Sequence, residues 1–295
     1  MTEAVQILSR GLGVGSVYAL LALGFVIIYK STRVISFAQP AFMLAGAVMV
    51  TYLVGPLGFF GALAAAAVGT AVLALGVERV AVRPMVGRPA FTVAIITLGV
   101  DVIVRVVATA FIGIELRHVG DPWGLNQTTV FGIEVQQRHL AMIVTAAVVV
   151  AILFAFFRYT RMGLAMRAAA YDQEAALAQG VSVGGVFALS WGIAGALGAI
   201  GGTFAAVGNN VDSTLWVVAL VALPVIILGG LDSLPGAVVG GLVVGVLQEV
   251  VAQYQRFLPT WVGGNVSVIT PYVLMFVVLL IRPYGLFGTR EVERV

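Results

Sequence analysis

Nine apolar runs, most of them about twenty residues long, divide this chain. An α-helix of ~20 residues spans the hydrocarbon core of a bilayer, whereas a membrane β-strand needs only about ten. The runs fall at 8–29, 34–54, 59–77, 91–112, 140–157, 182–207, 217–228, 237–251 and 266–281. They point to membrane helices rather than to a soluble domain or a β-barrel. Composition agrees: 61% of the residues are hydrophobic and 10% charged, against ~25% charged in soluble domains. The expected fold class is an all-α polytopic membrane protein, one transmembrane domain over residues 1–295, with eight to ten crossings. The range comes from 217–228 and 237–251, which fall short of ~20 residues and read as tilted or re-entrant.

The basic residues orient the runs. Alternating sides from the polar stretch that begins at Arg158 leaves Arg10, Arg117, Arg138 and Arg256 on one side. The other side collects eleven: Lys30, the remaining loop arginines and, in the C-terminal tail, Arg282, Arg290 and Arg294. Arg105 lies within a run. A surplus of this size marks the cytoplasmic side, which puts the N-terminus outside and the C-terminus inside. Trp123, Trp216 and Trp261 fall near the outer boundary, as interfacial anchors do.

Several functions are excluded or unsupported. The chain has no cysteine, hence no disulfide and no thiolate metal site. No G-x-x-x-x-G-K-[ST] or H-E-x-x-H occurs, so no enzyme activity, cofactor or metal is expected. A net charge of +3 reflects loop arginines rather than a nucleic-acid surface. Glu3 and Arg10, with no cleavage pattern after a short apolar run, argue against a removable secretory leader. His118 and His139 show no ligand-like spacing and read as surface histidines.

The longest polar interruption on the basic side runs from Arg158 to Val181. Leu164 to Gln179 is rich in strong helix formers, and Gly180 suits a left-handed helix end. The spacing predicts one helix over 164–180, held outside the bilayer. Met162, Ala165, Met166, Ala169, Ala176 and Leu177 fall on its apolar face, with Asp172 and Glu174 opposite.

Glu174-Ala175-Ala176, three residues, then Gly180 resembles the EAA-x-x-x-G loop of ABC importer permeases. Three further stretches narrow the resemblance to the permeases of branched-chain amino acid importers. Gly13 to Gly24 looks like their opening helix. Val34-Ile35-Ser36-Phe37-Ala38-Gln39-Pro40 is similar to a segment that commonly reads N-F-A-(H/Q)-G, with Ser36 and Pro40 departing from it. Gly229 to Gly241 resembles their late G-G-x-x-S-x-x-G-A-x-x-G-G signature. The likeness covers nearly the whole chain, and is greatest to the first of two permease subunits. It implies an ABC importer permease fold in the bacterial inner membrane. The implied partners are a second homologous permease, two ATPases and a periplasmic or lipid-anchored solute-binding protein. The resemblance also implies a coupling helix that docks on an ATPase, with Arg167, Asp172, Glu174, Ala175, Ala176 and Gly180 as candidate contacts. Branched-chain amino acids are the implied solute, although relatives carry urea, short amides or aromatic acids.

The remaining candidates lie in or beside the membrane. Pro40 with polar neighbours would interrupt a helix and free backbone carbonyls, which survive in lipid only against protein or a water-filled cavity. Ser36, Phe37, Gln39 and Pro40 are therefore candidate pathway residues; a plain turn between the first two helices is the competing reading. Thr97 is a further pathway candidate, unless its hydroxyl only bonds its own helix. Asp101 and Arg105, four apart, share a helix face and read as an intramembrane ion pair. A proton-coupled carrier would instead need a free carboxylate, at Asp101 or Glu249. Small-x-x-x-small pairs at Gly11/Gly15, Gly198/Gly202, Gly236/Gly240 and Gly241/Gly245 read as close helix packing, within or between subunits.

Overall fold

A computed structural model of the chain describes residues 2–85, 87–113, 117–130, 133–257 and 265–289. Trp261, Arg290 and Arg294 lie outside the described residues. The first helix, α1 (Thr2–Thr32), is the axis of the molecule: 89% of its apolar stretch is buried. Two helices flank it, α7 (Val183–Ala206) and α10 (Leu234–Tyr254).

Glycines set how close these helices come. A Cβ at Gly241 would stand 2.5 Å from the Ala19 nitrogen, and one at Gly11 would stand 2.6 Å from the Val246 Cα. Backbones in lipid pack this tightly only where side chains are missing, and the gain is dispersion contact rather than exclusion of water. Gly198 and Gly202 of α7 likewise lie on Phe42 and Met43 of α2. The glycine pairs therefore pack helices of one chain together.

The second helix, α2 (Gln39–Val77), is folded back on itself at Gly58, whose φ of 66° and ψ of 174° leave helical geometry. Pro56 precedes this break and removes a helical hydrogen bond. Met49 of the first arm meets Thr70 of the second at 3.7 Å. The expected turn at 55–58 is thus a helical hairpin, each arm about 19 residues or ~28 Å long. A π turn (Glu78–Val82) and a 3-10 turn (Arg83–Met85) finish it. Then come α3 (Ala90–Ile112), a small antiparallel hairpin of β1 (Gln127–Val130) and β2 (Ile133–Gln136), and α4 (Gln137–Tyr159). In that hairpin Gln127 faces Gln136. Two short helices, α5 (Arg161–Tyr171) and α6 (Gln173–Ala178), lead into α7.

After α7, α8 (Val217–Leu220) and α9 (Ala222–Gly229) share one short pass. Thirteen residues rise only ~20 Å. The chain after α11 (Val266–Ile281) makes up the difference: Leu286 N–H donates to the Leu228 carbonyl at 2.8 Å, and Phe287 N–H to that of Gly229 at 3.0 Å. Six helices are long and apolar enough to cross a membrane, among the described residues. With the hairpin counted as two arms, and with 217–229 and α11 added, the described residues make nine apolar passes.

Three expectations change. The run at 237–251 is not short: α10 extends over 21 residues, because Ser233 caps Gly236 N–H at 3.0 Å and Pro235 occupies the first turn. The second helix starts at Gln39, not Val34. His139 is not a surface residue: it is 9% exposed and packs on Gly13 of α1, whereas His118 is exposed.

Candidate functional site

Lys30, Arg33, Arg83, Arg158 and Arg167 gather at one end of the bundle, and α5 and α6 stand there. The single helix expected over 164–180 is two helices that meet at Asp172, whose backbone is extended (φ −150°, ψ 111°). Asp competes with helical hydrogen bonding through its own carboxylate, and here Asp172 Oδ1 accepts from Ala175 N–H at 2.9 Å, capping α6. Gly180 closes the element with φ +80°, a conformation that disfavours a Cβ. Met166, Ala169 and Ala176 are buried as the apolar face requires, but Met162 and Leu177 are exposed. Leu164 and Tyr171 are exposed too, Tyr171 by 94%. Arg167, Glu174 and Ala175 also face outward.

Two hydrogen bonds tie this element to the chain that leaves α1. The Gln173 side-chain amide donates to the Ser31 carbonyl at 3.0 Å. Arg33 Nη2 donates to the Ala170 carbonyl, also at 3.0 Å. Arg33 has φ 57°, the one positive value outside glycine among the described residues. It ends α1 and turns the chain back into the bundle. Beside it a cleft of about 520 Å³ is lined by Lys30, Arg158, Arg167 and Asp232.

The segment 33–38 does not break a helix. Pro40 sits in the first turn of α2, where its missing N–H costs nothing. Nor is the segment a plain surface turn, because Ser36, Ala38, Gln39 and Pro40 are buried. Phe37 N–H donates to Thr97 Oγ1 at 3.0 Å, so two sequence candidates meet. Thr97 also donates to its own helix, at Ala94 O (2.8 Å). Ser36 Oγ accepts from Ala38 N–H, and Gln39 Nε2 donates to the Ala194 carbonyl of α7 at 3.1 Å. Gln39 lies against Gly24 of α1, where any Cβ would collide with it. Among the described residues four buried side-chain atoms lack a hydrogen-bond partner. Three of them, Gln39 Oε1, Asp101 Oδ1 and Trp191 Nε1, border the first turn of α2, Trp191 through edge-on contact with Phe42.

One turn above Thr97, Asp101 Oδ2 accepts from Arg105 Nε at 2.8 Å. The Ala41 amide at the start of α2 also faces this carboxylate. The Arg105 guanidinium lies 4.0 Å from the centre of the Trp216 ring, a cation–π contact. Trp216 is thus engaged within the fold rather than free to anchor in lipid. Trp123 is engaged as well, stacked on Phe204. Beside these charges, between α3 and the first arm of α2, runs an apolar groove of about 570 Å³. Val48, Met49, Leu53, Ile103, Val104 and Ala108 line it. Tyr52 stands in its wall, donating to the Phe111 carbonyl at 2.6 Å under the Arg117 guanidinium.

Sequence reasoning missed one ion pair. Glu78, 1% exposed, takes Arg83 on both oxygens at 3.1 Å, and Arg83 also donates to the Gly184 carbonyl. This clasp fixes the end of the α2 hairpin to the start of α7. Its spacing of five, across a helix end, carries no helical signature. Glu249 of α10 is half-buried. No three His, Asp or Glu side chains converge as a metal site among the described residues.

The fold and the sequence both have relatives. The chain covers 94% of its length on an inward-facing putative metal-chelate type ABC transporter (88% of that chain, 17% identity, TM-score 0.52). It similarly matches PsaBC from Streptococcus pneumoniae (TM-score 0.51, 14% identity, 95% of this chain and 92% of that one). At these identities the likeness is one of fold. By sequence it is 28% identical to the high-affinity branched-chain amino acid transport system permease protein LivH of Escherichia coli K12, over 99% of this chain and 97% of that protein. Identity to BraD of Pseudomonas aeruginosa is also 28%, over 99% and 98% of the two chains. A probable LivH of Methanocaldococcus jannaschii is 26% identical over 96% and 92%. Residues 7–281 match the model of the family described as the permease component of branched-chain amino acid transport systems, and the chain belongs to that family.

Proposed function

We propose that this chain forms, with a second homologous permease, the membrane path of an ATP-driven importer for branched-chain amino acids. In this reading two separate ATPase subunits hydrolyse ATP and a binding protein delivers the solute and sets most of its selectivity. The membrane is the bacterial inner membrane. The end that carries Lys30, Arg33, Arg83, Arg158 and Arg167 faces the cytoplasm, as the surplus of basic residues argues. The C-terminal tail lies at the same end.

The observation that carries the coupling assignment is the element α5–α6, a pair of short helices whose Leu164, Tyr171 and Leu177 are exposed. Apolar side chains in water on a short helix invite a protein groove. Glu174 adds a charge for a basic partner, and Gly180 ends the element sharply. Its motion has a route into the bundle. Ala170 and Gln173 hold Arg33 and Ser31, and the segment beyond them holds Thr97 of α3 through Phe37. Closure of the ATPases would pull on α5–α6, shift 33–38 and bias α3 against α2 between two packings.

Glu174→Arg tests the assignment in liposomes that hold the complete transporter. Uptake is expected to collapse, and ATP hydrolysis to stop responding to the loaded binding protein. Unchanged uptake and unchanged stimulation would remove α5–α6 from the coupling role. Uptake by this chain without ATPases would replace the importer with a proton-coupled carrier. Uptake of urea, amides or aromatic acids in place of leucine would keep the importer and change its solute.

A further inference from the structure

We propose that Asp101, Arg105 and the apolar groove beside them form a transit site for a zwitterionic branched-chain amino acid. The proposal rests on the reading of this chain as an amino-acid permease. A free amino acid offers three features to a membrane protein: an ammonium, a carboxylate and, here, a small branched hydrocarbon. The structure holds a counterpart for each. Asp101 Oδ1 is an acceptor on a carboxylate that is only 5% exposed; it takes no side-chain hydrogen bond, and only the Ala41 amide faces the carboxylate beside Arg105. Arg105 spends only Nε on Asp101 and rests its flat face on Trp216. Its two terminal nitrogens make no hydrogen bond among the described residues. Val104 and Ala108 line the groove, and 101, 104 and 108 share one helix face, with 105 at its margin. The charges therefore stand next to the groove on α3, within a turn of its lining but not in its wall.

Electrostatics favour this ligand over its fragments. Net charge inside a membrane is costly, and a resting Asp–Arg pair is neutral. A zwitterion that inserts between them exchanges one internal pair for two intermolecular ones and adds no net charge. A simple amine or acid would leave one buried charge unmatched. The groove, about 570 Å³, falls within the size of small-molecule sites and exceeds the need of a four-carbon side chain. Its walls select hydrocarbon, since nearly all of the lining is apolar.

Saturation-transfer NMR on the complete transporter in nanodiscs, without the binding protein, reads this site directly. The probes are L-leucine, isopentylamine, which lacks the carboxylate, and 4-methylpentanoate, which lacks the ammonium. The native transporter is expected to saturate the leucine methyls and neither analogue. Arg105→Gln should weaken leucine about tenfold, the loss of one charged hydrogen-bond partner, and admit isopentylamine. Asp101→Asn should do the converse and admit 4-methylpentanoate. Arg105→Lys, which keeps the charge, should retain leucine. Ala108→Phe should diminish leucine by filling the groove, with both charges untouched. A purely structural ion pair would not exchange one analogue for the other, so loss of leucine without that exchange overturns the proposal. So does a silent native transporter that imports leucine into liposomes when its binding protein and ATP are supplied. If that import itself is missing, the functional reading fails instead.

Discussion

Glu78 is the residue whose chemistry the sequence hides most completely. Among the apolar runs it reads as the charged end of a membrane helix, and Arg83 as one of several loop arginines. The fold buries the carboxylate and gives it both forks of the guanidinium, which then reaches the Gly184 carbonyl. Breaking such a pair from one side strands the partner. Glu78→Gln keeps the shape but accepts only one of the two donated hydrogen bonds. It is expected to cost about 2 kcal/mol, less than a fully buried pair because Arg83 is partly open to solvent. The unfolding midpoint of the purified protein in detergent checks this, and an unchanged midpoint would refute the clasp. Asp101 and Arg105 contrast with Glu78. Four apart in a single apolar run, they were legible as a pair from spacing alone, and the structure gives the contact at 2.8 Å. What spacing did not reveal is the unpartnered oxygen on one side and Trp216 on the other, because both depend on elements distant in sequence.

At the scale of elements, the strong start and stop signals were readable and the weak ones misled. Gly58 and Gly180 mark chain reversals where a positive φ is needed, and the structure has φ 66° and 80° there. Ser233 and Pro235 are equally good helix-start signals, yet the apolar run 237–251 begins after them and, although it holds polar Gln248 and Glu249, ends before Gln253. The structure explains their presence: Gln248 accepts from Tyr18 of α1, and Gln253 donates to Glu3. Asp172 is the instructive failure. Surrounded by Ala, Gln and Glu, it was absorbed into one helix, although Asp prefers a cap to a helix interior. Asp172→Ala removes the bond to Ala175 N–H and is expected to destabilise α6 by about 1 kcal/mol. It should also favour one continuous helix through 172, pulling Gln173 off the Ser31 carbonyl. The measurable consequence is weaker coupling, seen as less ATP hydrolysis stimulated per loaded binding protein. Asp172→Asn, which preserves the cap, should restore it. Equal behaviour of the two variants would mean that the break at 172 has no bearing on coupling.

For the whole molecule, sidedness is the claim that organises everything else, and the chain itself provides the means to test it. Alternation from α1 places Tyr171 of α5, in the proposed coupling element, at the basic end and Leu125, between α3 and the β-hairpin, at the other. Both side chains are accessible, Leu125 81% and Tyr171 94% exposed. The passes were countable from the lengths of the apolar runs because lipid forces every spanning segment to satisfy its own backbone. Their neighbours were not countable, because helices in lipid associate through shape rather than through pattern. That is why the central position of α1, and the pairing of α2 with α7, emerge only in three dimensions. The sequence contains no cysteine, so a single engineered thiol reports one position without background. Leu125→Cys in intact cells is expected to react with a membrane-impermeant maleimide at once. Tyr171→Cys should stay unlabelled until the membrane is opened, and should then be shielded when the ATPases are bound. Labelling of Tyr171→Cys from outside would invert the molecule, expose α5–α6 to the wrong compartment and end the importer assignment of that element. Labelling from inside with no shielding would leave the orientation intact but detach α5–α6 from the ATPases, which separates the two halves of the functional reading in one experiment.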